Sequence, residues 1–298
     1  MSQIKIIKKE SILFLIKQII ISMRPRQWIK NLCIFAAVIF TGNLRNLILL
    51  IRSSWAFVIF CGLSGAVYII NDIRDKYEDK NHPLKKERPI ASGRLKIRPA
   101  LISAVLITLV SLYLSFFLPL NFIISALIYF LLMLSYSLFL RQVIIIDVII
   151  VSLGYVLRVL AGGFAISILS TPWSLMMTFF VAVFISFVKR KAEKITWEEK
   201  NSYRKNLRYY KRETLDYLII ISATIVIISY AQFAIFSGKN QNLYITIPFV
   251  LYGVFRYMYL AFEYNSGDEP SIIFIKDKPL FYNILLWILA SVIIIYFT

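Results

Sequence analysis

The chain has 298 residues, 59 % of them hydrophobic, and a formal net charge of +18. Ordinary soluble proteins are roughly 45–50 % apolar, so a water-soluble fold would leave much of this apolar surface in contact with water. A lipid bilayer is itself an apolar solvent and accepts such surface. The composition therefore predicts a membrane protein and excludes a soluble enzyme.

Only two cysteines, Cys33 and Cys61, and one histidine, His82, occur in the chain. Two cysteines in apolar stretches are too few for a disulfide framework, a zinc ribbon or an iron–sulfur cluster. A single imidazole excludes metal sites that need several histidines. Nucleic-acid binding is not expected, because the basic residues follow the distribution typical of a membrane protein.

The first 27 residues do not have the pattern of a cleaved signal peptide, because Lys17 interrupts their apolar run and no small-residue cleavage site follows. They are predicted to form a basic amphipathic lead-in on the membrane surface, with lysines near lipid phosphates. A frayed tail is the alternative. Residues 28–298 are then predicted to form a single intramembrane domain. The lysines of the lead-in are Lys5, Lys8, Lys9 and Lys17.

Nine apolar runs approach the ~20 residues that a helix needs to cross a bilayer. They predict an all-α, polytopic membrane bundle of about nine transmembrane helices, since only helices and closed barrels span lipid. Charged loops at 71–98 and 189–213 are expected to lie over the functional site. The first run is short, so a count of eight stays open. The runs are 28–42, 47–70, 99–118, 121–140, 143–167, 172–188, 214–236, 243–262 and 279–297.

Most of the 34 Lys and Arg residues fall on one side of these spans, together with all 16 acidic residues. Positive residues collect in cytoplasmic loops, which predicts that this side faces the cytoplasm. The rule does not require acidic residues to collect there as well. We therefore expect the acidic residues to serve a site at the cytoplasmic face. The basic residues found elsewhere are Arg45, Arg52, Arg158, Lys239 and Arg256.

The strongest motif opens the loop at 71–98 and reads Asn71-Asp72-Ile73-Arg74-Asp75-Lys76-Tyr77-Glu78-Asp79. On a continuous helix its three aspartates, Asp72, Asp75 and Asp79, fall within about 60° of one face. Such a stripe of like charge repels itself. A divalent cation removes the repulsion, and oxygen ligands suit Mg²⁺ bound jointly with a diphosphate. A solvated loop whose acids pair with neighbouring Arg and Lys residues is the alternative.

Two ionisable residues inside a predicted span, Asp147 and Arg158, lie eleven positions apart and within about 20° of one helix face. Ionisable residues in a span indicate function. Because about 16 Å of helix separates them, a direct ion pair is excluded, and we expect Asp147 near the cytoplasmic mouth and Arg158 deeper, one turn from Tyr155. Arg256 is a further candidate for the same cavity.

The stretch from Asn71 to Asp79, followed by His82-Pro83, Lys85 and the run from Arg88 to Gly93, resembles the first signature of the UbiA-type intramembrane prenyltransferase superfamily. The resemblance implies an all-helical bundle in which Mg²⁺ ions hold a diphosphate. It also implies that the three aspartates are metal ligands and catalytic residues. Substrate-binding roles follow for Asn71, Lys85, Arg88 and Arg94.

Further motifs resemble one branch of that superfamily, the decaprenyl-phosphate phosphoribosyltransferases. The branch implies transfer of a 5-phosphoribosyl group from 5-phosphoribosyl 1-diphosphate to a polyprenyl phosphate at the plasma membrane, for arabinofuranose-donor and cell-envelope polysaccharide synthesis. Prenyl transfer to an aromatic acceptor and a non-catalytic transporter are the alternatives. The motifs are Arg24-Pro25-Arg26-Gln27-Trp28-Ile29-Lys30-Asn31, Tyr155-Val156-Leu157-Arg158, Ala161-Gly162-Gly163, Lys189-Arg190-Lys191-Ala192-Glu193, Arg256-Tyr257, and Gly267-Asp268-Glu269-Pro270 with Asp277.

The loop at 189–213 departs from the superfamily, whose typical members carry a second acidic motif there. This loop is basic instead, and cations bind phosphate directly, arginine with two parallel hydrogen bonds. The departure favours a donor with an additional phosphate and an acceptor that is itself a lipid phosphate. Contact with anionic lipids accounts for most of these charges. The exceptions, expected to bind substrate at the mouth, are Lys189, Arg190 and Glu193. Lys30 and Asn31 either reach a phosphate or lie at the membrane interface.

Overall fold

The structure is a computed structural model that describes residues 2–82, 84–200, 210–236, 238, 241–263 and 276–297. These residues form helices and connecting turns, in agreement with the predicted all-α fold. The α-helices are α1 (Ser2–Ser22), α2 (Ala36–Phe40), α3 (Leu47–Arg74), α4 (Lys76–Lys80), α5 (Ile97–Ser115), α6 (Leu120–Leu138), α7 (Ile146–Ala165), α8 (Pro172–Lys200), α9 (Arg212–Phe236), α10 (Ile247–Glu263) and α11 (Lys278–Phe297). Short 3-10 segments cover Pro25–Phe35, Lys85–Glu87, Leu140–Gln142 and Gln241–Thr246.

Eight of the described helical segments are long and apolar enough to cross a membrane. They correspond to the predicted runs from 47–70 onward. Local signals set their ends: the Asn46 side chain accepts hydrogen bonds from the first backbone N–H groups of α3, and prolines precede α6 and open α8, where the missing N–H costs nothing. Large aliphatic and aromatic side chains cover the outer surface of these helices, as a lipid-facing bundle requires.

The first predicted run, 28–42, differs from the other eight in its helix type. It consists of the 11-residue 3-10 segment Pro25–Phe35 followed by the five residues of α2. A 3-10 helix rises about 2.0 Å per residue against 1.5 Å for an α-helix. Together the two pieces therefore extend roughly 30 Å, about the thickness of the hydrocarbon core of a bilayer. Few residues thus suffice to cross the membrane.

Contacts along α3 show that this segment does traverse the bundle. Arg24, just before it, pairs with Asp72 near the end of α3, and Asn31 donates hydrogen bonds to Cys61 and Ser64 near the middle of α3. The chain then turns and re-enters as the start of α3. The described residues therefore contain eight helices long enough to span a membrane, together with this shorter segment, which is close to the predicted count of about nine.

The centre of the bundle is formed by α3, α6, α7 and the first segment, which pack closely. Gly162 of α7 makes this approach possible: a Cβ added there would lie 2.0 Å from the backbone oxygen of Ile34. Gly162 thus serves the close packing of α7 against the first segment. A second apolar cluster joins α7, α8, α9, α10 and α11. The two clusters meet at α7, whose N-terminal end carries Asp147.

The lead-in is the helix α1, which lies against α3. Leu15, Ile19 and Met23 pack into the cluster around Ile69, whereas Ile12 and other large apolar residues on the opposite side are exposed. An exposed apolar face on a helix beside a membrane bundle suits contact with lipid. Its position on the membrane surface stays a prediction.

Candidate active site

Three buried aspartates lie at one end of the bundle. Asp72 belongs to the last turn of α3, Asp75 joins α3 to α4, and Asp79 lies in α4. The helix is interrupted at Asp75 rather than continuous, yet all three side chains point inward and are less than 5 % exposed. The predicted stripe is therefore a buried cluster and not a solvated loop. We call Asp72, Asp75 and Asp79 the aspartate cluster.

Arginines from distant parts of the sequence neutralise two of these carboxylates. Arg24 donates to Asp72, and Arg88 donates from one nitrogen, Nη1, to Asp72 Oδ1 at 3.2 Å and to Asp79 Oδ2 at 2.5 Å. One guanidinium nitrogen thus bridges two carboxylates. Arg24 has a left-handed backbone, with φ of 55°, which is rare for a residue other than glycine. This conformation marks the turn between α1 and the first crossing.

The third carboxylate, Asp75, has its own set of partners. Arg74 donates to Asp75 Oδ1 at 3.2 Å, Asn71 Nδ2 donates to Oδ2 at 3.1 Å, and Arg141 pairs with the same oxygen. Asn71 in turn accepts from Ser137 Oγ at 3.0 Å. Burial would raise the pKa of Asp75, but the Arg141 and Arg74 guanidinium groups outweigh it and hold this pKa below its ordinary value.

The aspartates have the oxygen donors that Mg²⁺ prefers, but their arrangement does not fit a bound ion. Among the described residues, no three His, Cys, Asp or Glu side chains converge on a point that could hold a metal. The ion-pair partners of the cluster are guanidinium groups instead. Three carboxylates face four guanidinium groups, those of Arg24, Arg74, Arg88 and Arg141, so the negative charge of the cluster is already more than neutralised.

The loop after α4 is held by its histidine. His82 Nδ1 accepts hydrogen bonds from the backbone N–H groups of Leu84 and Lys85 at 3.2 and 3.3 Å, so His82 shapes the loop. Burial and the nearby Arg88 guanidinium lower the pKa of Lys85. Arg94 is exposed and donates to Ser92 Oγ at 3.0 Å. It therefore lies at the outer edge of this loop. Pro83 lies outside the described residues.

A second charged cluster lies where α7 begins and α8 approaches its end. Arg190 is 4 % exposed and donates to Asp147 Oδ2 at 2.7 Å and to Glu193 Oε2 at 2.5 Å. Lys189 Nζ lies 4.0 Å from Glu193 Oε1 and is more exposed. We call Asp147, Arg190 and Glu193 the Arg190 cluster. Lys85 and Arg141 interact electrostatically with Glu193, so the two clusters lie close together at one end of the bundle. We call this end the mouth.

Arg158 lies much deeper and has no carboxylate among its hydrogen-bond partners. Its Nε donates to Asn31 Oδ1 at 2.7 Å, Nη1 to the Gly154 carbonyl at 2.8 Å and Nη2 to Tyr129 Oη at 2.6 Å. The guanidinium also stacks 4.6 Å from the Tyr129 ring and 5.3 Å from the Tyr155 ring. Asn31 is therefore an interior residue, whereas Lys30, beside it in sequence, is partly exposed.

Arg256 is not with the aspartate cluster. Its guanidinium donates to both oxygens of Asp277, at 3.2 and 2.8 Å, and ties α10 to the start of α11. The neighbouring Tyr257 lines an apolar cavity of about 270 Å³ between α8, α9, α10 and α11, with Phe184, Tyr230 and Trp287 among its other walls. The motif at 267–270 and residues 201–209 of the basic loop lie outside the described residues.

Sequence reasoning missed the arginine partners of the aspartates. Arg24 lies 48 residues from Asp72 and Arg141 lies 66 residues from Asp75, so no local spacing connects them. One signal was available for Arg141: it is an isolated charge in a short turn between two apolar spans. Tyr129, the partner of Arg158, sits within a helix that has no charged residue and carries no such signal.

The chain and its fold have known relatives. Residues 32–296 match the UbiA prenyltransferase family. The chain belongs to the UbiA prenyltransferase family. As a member of the UbiA family it is a multi-pass membrane transferase, which agrees with the resemblance seen in the aspartate motif.

Full-length relatives share about a third of the residues. The chain is 33 % identical, over 95 % of its length and 94 % of the relative's, to the decaprenyl-phosphate phosphoribosyltransferase of Mycolicibacterium smegmatis. It is 32 % identical to the protein of that name from Mycobacterium tuberculosis, over 92 % of this chain and 93 % of the relative. A UbiA homolog from Archaeoglobus fulgidus, solved with GPP and Mg²⁺, superposes with a TM-score of 0.72 at 18 % identity, covering 93 % of this chain and 99 % of that one. That likeness shows a shared fold.

Proposed function

We propose that the protein transfers a 5-phosphoribosyl group from 5-phosphoribosyl 1-diphosphate to a polyprenyl phosphate, with release of diphosphate. The observation that carries the proposal is the identity of about a third, over nearly the whole chain, to relatives named decaprenyl-phosphate phosphoribosyltransferase. The shared mouth supports it, because cationic side chains there outnumber what the carboxylates require. Both substrates bring phosphate groups that such cations bind.

In this reaction the bond between C1 of the ribose and the diphosphate oxygen breaks, and an oxygen of the polyprenyl phosphate forms the new bond to C1. The acceptor is already an anion, so its attack needs no general base. The main task of the protein is to hold two mutually repelling anions in line. Arg88 and Arg94 on one side of the mouth, and Lys189 on the other, are the groups proposed to bind their phosphates. Positive groups at the leaving diphosphate also stabilise the charge that develops there.

The Arg190 cluster and the deep Arg158 are assigned supporting parts in this proposal. Arg190 is enclosed between Asp147 and Glu193, so it orients the mouth rather than offering an open guanidinium. Arg158, with Asn31 and Tyr155, lies below the mouth and holds the first crossing against α6 and α7. Both sets then act by positioning groups that contact the phosphates.

The apolar cavity beside Tyr257 is the proposed site for the polyprenyl tail. Its upper wall includes Phe184 and Leu280, which belong to the same packed cluster as Val148, the neighbour of Asp147. In this proposal the cavity begins below the charged mouth and continues toward Trp287, about two turns beyond Leu280 along α11. A lipid phosphate with its head at the mouth would place the first isoprene units there.

Mg²⁺ belongs to the proposal as the cofactor, because solved UbiA relatives contain Mg²⁺ together with a prenyl diphosphate. When bound, the ion would neutralise charge on the leaving diphosphate. In the arrangement described above the carboxylates hold arginines instead, so no step of the reaction is assigned to the ion. The proposal also includes the plasma membrane as the location, a mouth facing the cytoplasm, and a product used for arabinofuranose donors of cell-envelope polysaccharide.

The test uses purified protein in lipid nanodiscs, radiolabelled 5-phosphoribosyl 1-diphosphate, decaprenyl phosphate and Mg²⁺. We expect label to enter the lipid fraction, and to stop entering it when EDTA removes the metal. A parallel reaction offers geranyl diphosphate and hydroxybenzoate. Absence of labelled lipid, with consumption of geranyl diphosphate in the parallel reaction, would overturn the proposal in favour of prenyl transfer. An R52Q variant, altered far from the mouth, is the matched control.

A further inference from the structure

Arg158 is a buried arginine whose hydrogen-bond partners are all neutral. Its side chain is within a residue that is 5 % exposed, and its N–H groups donate to Asn31 Oδ1, the Gly154 carbonyl and Tyr129 Oη. In the part of the chain that the structure describes, Arg158 forms no ion pair. A neutral donor would satisfy the same three oxygens. Hydrogen bonding therefore accounts for the N–H groups of Arg158 but not for its charge.

The buried Arg190 shows how unusual this arrangement is. Arg190 is 4 % exposed and is enclosed by two carboxylates, at 2.7 and 2.5 Å, whereas Arg158 is equally buried and faces none. A buried charge without a counter-charge is costly. The rings of Tyr129 and Tyr155, 4.6 and 5.3 Å from the guanidinium, offset part of this cost. An ionisable residue kept inside a membrane bundle at such a cost indicates function.

The charge of Arg158 lies close enough to the mouth to act there. Tyr68 interacts electrostatically with Arg158, and the guanidinium of Arg24 lies over the same Tyr68 ring, 4.9 Å from its centroid. Arg24 in turn pairs with Asp72 at the mouth. The surroundings of Arg158 are the apolar centre of the bundle, where screening is weak. Apolar walls of this kind direct the field of a charge toward the more polar space at their end.

We propose that Arg158 is a positioning residue whose uncompensated charge draws phosphate-bearing substrates into the mouth without contacting them. A phosphate that enters the mouth supplies the negative charge that Arg158 lacks. This part goes beyond holding the first crossing in place, which the hydrogen bonds of Arg158 already achieve. The inference rests on the proposed function only for the presence of a phosphate group on the substrates.

Asn31 allows this charge to be cancelled in place. In N31D a carboxylate oxygen replaces Oδ1, which lies 2.7 Å from Arg158 Nε, so the hydrogen bond is kept while Arg158 gains a counter-charge. N31A removes the hydrogen bond and adds no charge. R158Q removes the charge itself. R52Q is the matched control for R158Q, because it makes the same substitution at an exposed arginine of α3 far from the mouth.

Equilibrium dialysis of the purified protein measures its affinity for radiolabelled farnesyl phosphate and for farnesol, which has the same chain without the phosphate. N31D and R158Q should bind farnesyl phosphate at least about fivefold more weakly than the natural chain does, because one unit of positive charge is lost. Farnesol should bind equally to all variants, and R52Q should behave like the natural chain. N31A should lose less affinity for farnesyl phosphate than N31D, although it unfolds at a lower temperature.

A purely structural part for Arg158 predicts the reverse order, with N31A weaker than N31D, and that result would overturn the inference. Unchanged affinity for farnesyl phosphate in N31D and R158Q would overturn it as well, and either variant decides if the other fails to fold. Ribose 5-phosphate forms a second arm: weaker binding in the same variants extends the effect to soluble phosphates, and unchanged binding confines it to lipid phosphate. No donor is present and nothing is turned over, so the result is independent of the phosphoribosyl transfer assay.

Discussion

The aspartate cluster and the Arg190 cluster lie at the same mouth but are built in opposite ways. In the aspartate cluster the acids are buried and the arginines are partly exposed. In the Arg190 cluster the arginine itself is enclosed, 4 % exposed, and Glu193 is the more open partner at 30 %. A partly exposed arginine can exchange partners at little cost, whereas a buried one cannot. The comparison separates a side whose arginines are partly open to solvent from a side whose arginine is enclosed.

Asp72 provides the largest expected effect on activity. In D72N the side chain keeps its size but loses the charge that Arg24 and Arg88 share. We expect the rate of phosphoribosyl transfer to fall roughly a hundredfold or more, because a charged group at the reacting diphosphate is lost. Steady-state turnover measures it, with the melting temperature as a check on folding.

D216N is the matched control for D72N, since Asp216 pairs with Lys191 on the other side of the mouth and is 33 % exposed. Turnover in D216N should stay near that of the natural chain. Equal losses in both variants would mean that the aspartate cluster has no special part in the reaction, and the comparison between the two clusters would fail.

Arg190 provides the largest expected effect on stability. R190M leaves Asp147 buried with its described arginine partner gone, and breaking a buried ion pair in this way costs about 3–5 kcal/mol. R24M should cost less, because Arg88 still pairs with Asp72. Thermal unfolding in nanodiscs compares the two variants.

The double variant D147L/R190M sharpens this prediction. Replacement of a whole buried pair by apolar side chains is often neutral, so the double variant should regain much of the stability that R190M loses. If R190M and R24M unfold at the same temperature, the described difference in burial does not govern how firmly the two arginines are held.

His82 provides the smallest expected effect, confined to the loop beside the aspartate cluster. Burial, with Lys85 and Arg88 nearby, holds the pKa of His82 below its ordinary value of 6.5. The neutral ring accepts two backbone hydrogen bonds, and protonation removes them. The loop is therefore most stable above pH 6.5 and loses stability as the pH falls from there toward the lower pKa of the folded protein.

Amide hydrogen exchange of residues 84–88 between pH 5 and 8 measures this change, after correction for intrinsic exchange rates. Protection should decrease toward pH 5 in the natural chain and should be low at every pH in H82F. Protection that does not vary with pH in the natural chain would contradict the assignment of Nδ1 as an acceptor.

Much of the fold could be predicted because hydropathy and charge act over short stretches of sequence. Apolar runs gave the positions of eight long spans, and the spacing of the aspartates gave a buried acidic cluster. The 3-10 form of residues 25–35 was missed, because an apolar run fixes a length to be covered but not the helix type. The arginine pairs were missed because they join residues that only the tertiary fold brings together.

The first crossing also bears on how the protein is assembled in the membrane. Its 16 residues fall short of the ~20 apolar residues that mark an independently inserting helix, and Lys30 and Asn31 lower its apolar character further. The Asn31 side chain has its hydrogen-bond partners on α3 and α7. Stable insertion of this segment therefore depends on helices that are synthesised later, and the mouth that Arg24 helps to build is completed only when they have arrived.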